Sequence, residues 1–183
     1  VAAFIPDRPA VATDDTLVDT SHTAATAAPS SADTSSFAYQ LLQVGARHNL
    51  ATLLLYTERH VAALTEYERA LQLLFTIERA ALTPVEERSW LSEVAHNELN
   101  RASALTFLDR PEEAEAALLR ASAYFLQAEE RMNHGRAQTN LGRLYLRWGQ
   151  YANALTAFDQ ALNDLLGERT AELLVAALTV NVS

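Results

Sequence analysis

Cysteine and lysine are both absent from the 183 residues of the sequence. Without cysteine, the protein has no thiol nucleophile, no disulfide and no cysteine ligand for zinc or an iron–sulfur cluster. Without lysine, it lacks the phosphate-binding lysine of a nucleotide-binding loop and any lysine amine that forms a Schiff base. Several large groups of enzymes are therefore excluded before any motif is considered.

Basic charge and long hydrophobic runs are also scarce. The 14 basic residues face 23 acidic ones, and the formal net charge of -9 repels the phosphates of a nucleic acid. No run approaches the roughly 18 to 20 apolar residues that a membrane-spanning helix needs, and the first residues lack the apolar core of a secretory signal. We therefore expect a soluble, cytoplasmic protein with no nucleic-acid partner and no membrane span.

The first 36 residues differ in composition from the rest of the sequence. Residues 10–36 are mostly Ala, Ser, Thr and Asp and contain no aromatic residue. Such a segment buries too little apolar surface to offset the entropy lost on ordering. The composition predicts a disordered acidic tail over residues 1–36 and a helical domain over residues 37–183.

From residue 37 onward, apolar residues recur at spacings of three and four, which is typical of amphipathic helices. The motif Thr83-Pro84-Val85-Glu86 combines a threonine cap, a first-turn proline and a glutamate three residues after the cap. Gly135, Gly149 and Gly167 are expected to separate helices. The pattern predicts seven helices, near residues 36–57, 59–80, 83–108, 109–132, 136–148, 151–166 and 168–180.

Three segments share one pattern of small and bulky residues, namely 44–77, 95–128 and 135–168. Small side chains let the two helices of a unit approach closely, and a bulky side chain fills the space between them. The small residues are Ala51, Ala63 and Ala70, then Ala102, Ala114 and Ala121, then Gly142, Ala154 and Ala161; the bulky ones are Tyr67, Leu118 and Phe158. The protein is thus expected to consist of three stacked units.

The third unit contains Asn140-Leu141-Gly142-Arg143-Leu144-Tyr145, followed by Gly149-Gln150-Tyr151, Ala154, Phe158 and Ala161. This run resembles the signature of the tetratricopeptide repeat, and the first unit is similar. The second unit is degenerate, because Arg101 stands where the family has an apolar residue. The units follow one another at more than the usual 34 or so residues, as in extended repeats of bacterial regulatory proteins.

The resemblance implies an all-α, right-handed superhelical solenoid of about three helix-turn-helix repeats with a capping helix over residues 168–180. It also implies a protein–protein interaction scaffold or adaptor, or a subunit of a larger assembly, with no enzymatic activity. The alternative is a regulatory module that senses a small peptide. No ligand spacing indicates a metal site, and no motif indicates a cofactor.

The first helix of each unit lines a concave, peptide-binding groove in this family, and an asparagine there often holds the peptide backbone. This sequence has asparagine at the matching place in all three units, at Asn49, Asn100 and Asn140. An amide both donates to and accepts from a peptide bond, so it suits this task. The alternative is that these amides join neighbouring helices and stabilise the stack.

Arginines extend this groove on the fifth predicted helix. Arg136, Asn140, Arg143 and Arg147 are spaced by four, three and four residues and so form one stripe. Guanidinium groups fork onto carboxylates, which predicts an acidic peptide or the C-terminus of a polypeptide as the ligand. The alternative is an arginine face that pairs with acids of adjacent helices. In the other units, the groove is expected to continue through His48, Thr52, Tyr56, His96, Ser103 and Phe107.

The predicted last helix is unusually apolar for the end of a solenoid, which normally carries a polar outer face. We expect it to pack back on the preceding helix as a half-repeat. The second choice is a surface for another copy of the protein or for a larger complex.

Overall fold

A computed structural model describes the backbone of residues 36–180 and the side chains of residues 36–167. Six α-helices and one short 3₁₀ turn account for most of this part of the protein, and no strand occurs in it. The helices are α1 (Phe37–Tyr56), α2 (His60–Thr76), α3 (Pro84–Phe107), α4 (Pro111–Gln127), α5 (Arg131–Arg147) and α6 (Tyr151–Val180), and the 3₁₀ turn is Arg79–Ala81. The predicted tail lies outside the described residues, except for Ser36.

The helices pack in three consecutive pairs, α1 with α2, α3 with α4, and α5 with α6. Each pair stacks on the next through the contacts of α2 with α3 and of α4 with α5. The predicted all-α stack of helical units is therefore confirmed, while its right-handed superhelical twist stays a prediction. No helix among the described residues is both long enough and apolar enough to cross a membrane.

The start of α3 is fixed by the motif that marks it in the sequence. The Thr83 hydroxyl oxygen accepts from the Glu86 backbone N–H at 3.3 Å, and the Glu86 carboxylate accepts from the Thr83 N–H at 2.9 Å. These bonds satisfy two backbone donors that a helix leaves open. The bonds that the Thr83 N–H and the Thr83 hydroxyl donate to the Glu86 carboxylate lower the pKa of Glu86. The predicted capping box is confirmed.

Packing within each pair depends on the small residues predicted for the interface. All nine are buried, and Gly142 lies directly under the ring of Phe158. A Cβ atom at Gly142 would stand 2.6 Å from the Cε1 atom of Phe158, which no real contact allows. The small residues of all three units thus lie in the buried interior, and Gly142 marks a site of close helix approach.

Ion pairs replace apolar packing around the degenerate position of the second unit. The Glu98 side chain is only 5% exposed, and Arg120 of α4 donates to its Oε1 atom from Nε at 2.6 Å. Arg101 lies 3.4 Å from Glu98 and 3.3 Å from Glu68 of α2. Because both guanidinium groups compensate the buried carboxylate, Arg101 fits where the family has an apolar residue.

In each helix pair, the turn after the first helix contains a residue in the left-handed conformation. The φ angles are 61° at Glu58, 54° at Asp109 and 70° at Gly149, all at equivalent places in the units. In the first of these turns, the Arg59 N–H bonds to the Leu54 carbonyl at 2.9 Å, which closes a Schellman-type cap. Only the third unit uses glycine, the residue that adopts this conformation without steric cost.

Several predicted helix boundaries are wrong. Gly135 does not begin a helix but lies buried inside α5, where a Cβ would come within 3.4 Å of the Ala161 carbonyl. Helix α6 continues through Gly167 to Val180, so no separate last helix begins at 168. The two predicted ends at 80 and 132 also fall several residues late, since α2 ends at Thr76 and α4 at Gln127. A glycine costs a helix only about 1 kcal/mol, which packing overrides.

The last residues of α6 bear on the predicted cap. Their side chains lie outside the described residues, so packing as a half-repeat remains a prediction. The backbone establishes that this segment continues α6 without a turn.

We expect Gly142→Ala to lower the free energy of unfolding by roughly 1 to 2 kcal/mol, because the Phe158 ring must move to admit the methyl group. The matched control is Gly45→Ala in α1, where no atom lies within 4 Å of the new Cβ. This change should stabilise the protein by about 0.5 to 1 kcal/mol through helix propensity. Urea denaturation measures both, and equal effects of the two substitutions would contradict the close contact.

We expect Glu58→Gly to raise the free energy of unfolding by up to about 1 kcal/mol, because glycine removes the cost of a left-handed side chain. Glu58 is exposed and makes no ion pair with a described residue. Gly149→Ala, at the equivalent place, should have the opposite sign. Thermal unfolding of the two variants checks the pair, and a destabilising Glu58→Gly would refute the assignment of strain.

Candidate binding groove

Helices α3 and α5, the first helices of their pairs, enclose an open pocket of about 240 Å³. Its apolar floor consists of Ala102, Leu118 and Leu144. The walls are polar or aromatic, and they bring together predicted groove residues from two units. These wall residues are Ser103, Thr106 and Phe107 from α3, and Asn140, Arg143 and Arg147 from α5. We call this cavity the arginine pocket.

The two arginines of the pocket differ from seven others among the arginines that the structure describes. Arg143 and Arg147 are exposed, and neither makes an ion pair with a residue that the structure describes. By contrast, seven arginines that lie elsewhere each contact a carboxylate: Arg47, Arg69, Arg79, Arg88, Arg101, Arg110 and Arg120. Among the described residues, no acid pairs with these two arginines, so the alternative of a paired arginine face has no support there.

The polar wall of the pocket offers one unused amide. The Thr106 hydroxyl donates to the Ala102 carbonyl at 2.8 Å and the Ser103 hydroxyl to the Leu99 carbonyl at 3.5 Å, so both donors are occupied by α3 itself. Asn140 is half-buried, and its amide has no hydrogen bond to another described residue. This amide can both donate to and accept from a ligand.

His48 joins the first unit to the second. Its Nδ1 atom lies 3.2 Å from Oδ1 of the fully buried Asn97, and its Nε2 atom lies 3.2 Å from Nδ2 of Asn100. A neutral ring with its proton on Nδ1 satisfies both contacts. The predicted groove asparagine of the second unit, Asn100, thus helps to hold α1 against α3, as the alternative interpretation predicts.

His96 of α3 lies outside this pocket, in a separate region that contains two glutamates. Its ring stands edge-on to Phe125 with centroids 4.9 Å apart, and Nε2 lies 3.8 Å from a carboxylate oxygen of Glu130. Glu93 and Glu130 line a second hollow beside it, and burial raises the pKa of Glu93. Arg136 is not part of the arginine pocket, and its guanidinium donates to the Asn133 side chain at 3.1 Å.

The first unit contributes least to the groove. Asn49 is exposed and shares a shallow, mainly apolar hollow with Leu42 and other residues of α1. The Thr52 hydroxyl lies 3.0 Å from the hydroxyl of the buried Tyr67, so it is used within the pair. Tyr56 is exposed. None of these three groove candidates lines the arginine pocket.

Comparison with known proteins agrees with the helix pairs and their small-residue pattern. The family model of the tetratricopeptide repeat matches residues 93–165, from α3 into α6. Over these residues, the protein is similar to tetratricopeptide repeats. The matched segment includes every residue of the arginine pocket. The unit at 44–77 lies outside the matched segment, and its aligned small residues are what indicate a repeat there. No curated protein is a significant match to the sequence.

Members of this family generally mediate protein–protein interactions, and the fold is typically not enzymatic. Among the residues described, no group of three or more His, Asp or Glu side chains is placed to hold a metal ion.

Sequence reasoning missed Thr106 in the pocket wall and Asn97 in the bridge from His48. Thr106 lies three residues after Ser103, so helical spacing alone carried a signal for it. Asn97 aligns with Ala46 and Ala137 and sits on a buried stripe. A buried asparagine among apolar residues is the signal that was available there, because it must find a partner.

The pH dependence of His96 tests the burial of its imidazole ring. Burial lowers the pKa of His96 below its ordinary 6.5, against the opposing effect of Glu130, and the charges of His48 and Arg136 act in the same direction as burial. The folded state thus favours the neutral ring, and the stability that this provides is present above pH 6.5 and lost as the pH falls through the lowered value. We expect the NMR titration of His96 to have its midpoint below 6.5.

The control for this titration is the Phe125→Leu variant, which removes the ring that packs against His96. Its His96 midpoint should move back towards 6.5. A wild-type midpoint at or above 6.5 would contradict the burial of the imidazole.

Proposed function

We propose that this protein is an interaction scaffold that binds a protein segment in the groove between α3 and α5, with a ligand carboxylate held by Arg143 and Arg147. The observation that carries the proposal is the pair of exposed arginines without acidic partners among the described residues, at the rim of an apolar-floored pocket. An exposed guanidinium retains its full capacity for a forked bond to a carboxylate. The ligand is thus an acidic peptide or the C-terminus of a polypeptide.

The pocket offers each part of such a ligand a matching surface. Arg143 and Arg147 are four residues apart on α5, so both guanidinium groups extend from one helix face. Asn140 lies one turn earlier on the same face and provides donor and acceptor groups for the peptide backbone. The floor at Leu118 and Leu144 accepts an aliphatic side chain next to the carboxylate.

Electrostatics favour recognition at short range. The whole protein is negatively charged, with a formal net charge of -9, and therefore does not attract an acidic ligand from a distance. The arginine pair acts over the few ångströms of direct contact, in a site partly screened from water. Binding should accordingly weaken with added salt, but less than for a ligand that is steered by a whole charged surface.

Isothermal titration with a short peptide that ends in leucine and a free carboxylate tests the proposal. Arg143→Gln and Arg147→Gln should each weaken binding by roughly tenfold or more, as expected for the loss of a charge-assisted hydrogen bond. The same peptide with an amidated C-terminus should bind the wild-type protein with similarly reduced affinity. Replacing the terminal leucine by glycine should also reduce affinity, because it leaves the apolar floor uncovered.

The matched control is Arg59→Gln, which removes one exposed positive charge outside the pocket. It changes the net charge by the same amount and should leave the affinity unchanged. If Arg59→Gln weakens binding as much as Arg143→Gln, the effect is one of total charge, and the proposed pocket is not the site. Unchanged binding in both pocket variants leads to the same conclusion.

A further inference from the structure

The first helix presents an exposed apolar face at one end of the stack. This face is formed by Ala46, Leu50 and Leu53, and the two leucines are 46% and 60% exposed. Ala46 and Leu50 lie outside the groove positions, whereas Leu53 aligns with Leu144 of the pocket floor. The end of the stack is thus a second surface that borders the peptide groove.

The same three residue types recur, buried, at the aligned positions of the third unit. Ala137, Leu141 and Leu144 of α5 follow in the same order, and the two leucines are 2% and 4% exposed. They belong to one apolar cluster with residues of α3 and α4. On α5 this stripe is buried because a preceding pair of helices packs against it. On α1 the identical stripe has no preceding pair among the described residues.

The opposite end of the stack shows the reverse relation. Leu155, Leu162 and Leu165 of α6 are between 45% and 63% exposed. The aligned residues of the first unit are Leu64, Leu71 and Leu74 of α2, which are at most 6% exposed. These three leucines share apolar clusters with α3, and the Leu74 carbonyl accepts a hydrogen bond from the Trp90 ring nitrogen of α3 at 2.8 Å.

Each end of the stack therefore carries one half of an interface that the protein already forms internally. The exposed leucines of α6 align with the leucines through which α2 packs against α3. The exposed stripe of α1 aligns with the stripe through which α5 packs against the pair of α3 and α4. We propose that the protein associates head to tail with a second copy of itself, α6 of one copy packing against α1 of the next. The contact continues the stack of repeats across the two molecules.

The chemistry of the two faces favours this partner over an unrelated one. Burying the five leucines and the alanine of the two faces removes apolar surface that would otherwise remain in water, at about 25 cal/mol per Å². Helical repeats bury their apolar faces only against neighbouring repeats, so a repeat with the aligned residues is the matching surface. Because α1 and α6 are different surfaces, the contact is heterologous and leaves a free α1 face and a free α6 face on every assembly.

Analytical ultracentrifugation of the 183-residue protein tests the proposal. The wild-type mass should rise with concentration from the 20.1 kDa of one copy to that of two and more. Leu50→Glu blocks the α1 face and Leu162→Glu blocks the α6 face, and each variant alone should stay at the mass of one copy. An equimolar mixture of the two variants should form dimers and nothing larger, because one intact face of each kind remains.

The control is Val61→Glu, a similar change of an exposed side chain on α2 outside both faces. The aligned residue of the second unit is Glu112, so the position accepts the substitution, and association should match that of the wild type. Circular dichroism checks that every variant is folded. A wild-type protein that keeps the mass of one copy at all concentrations overturns the proposal. Self-association that persists in one of the blocked variants, or a mixture that stays monomeric, overturns the head-to-tail arrangement.

Discussion

The close approach of two helices at a small residue is the constraint on which the rest of the structure depends. In the third unit, the ring of Phe158 occupies the space that any side chain at Gly142 would need. In the first unit, Tyr67 packs in one cluster with Ala51 and Ala63. These contacts fix which side of each first helix is turned towards its partner. The remaining side is left for the groove and for stacking.

Charge serves two different purposes in this molecule. Arg101 and Arg120 compensate the buried carboxylate of Glu98, and removing either would leave that charge poorly solvated. Arg143 and Arg147 compensate no acid that the structure describes. A buried ion pair holds helices together, whereas an exposed unpaired guanidinium is available to a ligand. The two groups have the same chemistry and differ in what surrounds them.

The sequence predicts what depends on spacing along a helix, and it fails where distances between helices decide. The Thr83 cap and the small-residue pattern are local patterns, and both agree with the structure. Gly135 lies inside a helix because packing against α6 outweighs its low helix propensity. The contact of His48 with Asn97 depends on the separation of α1 from α3, which no spacing within one helix reveals. For the same reason, helical spacing groups Arg136 with Arg143, although only Arg143 reaches the pocket.

Three asparagines align in the repeat, and the position of each unit in the stack decides what its asparagine contacts. Asn140 lines a pocket because α3 stands opposite α5, and Asn100 bonds to His48 because α1 stands opposite α3. Asn49 meets no first helix of a preceding unit among the described residues, so its half of a pocket remains open. A helix pair stacked on α1 would cover Leu53 and complete a further pocket. That pocket would present Thr52 and Tyr56 where the existing one has Arg143 and Arg147, and so it would lack affinity for a carboxylate.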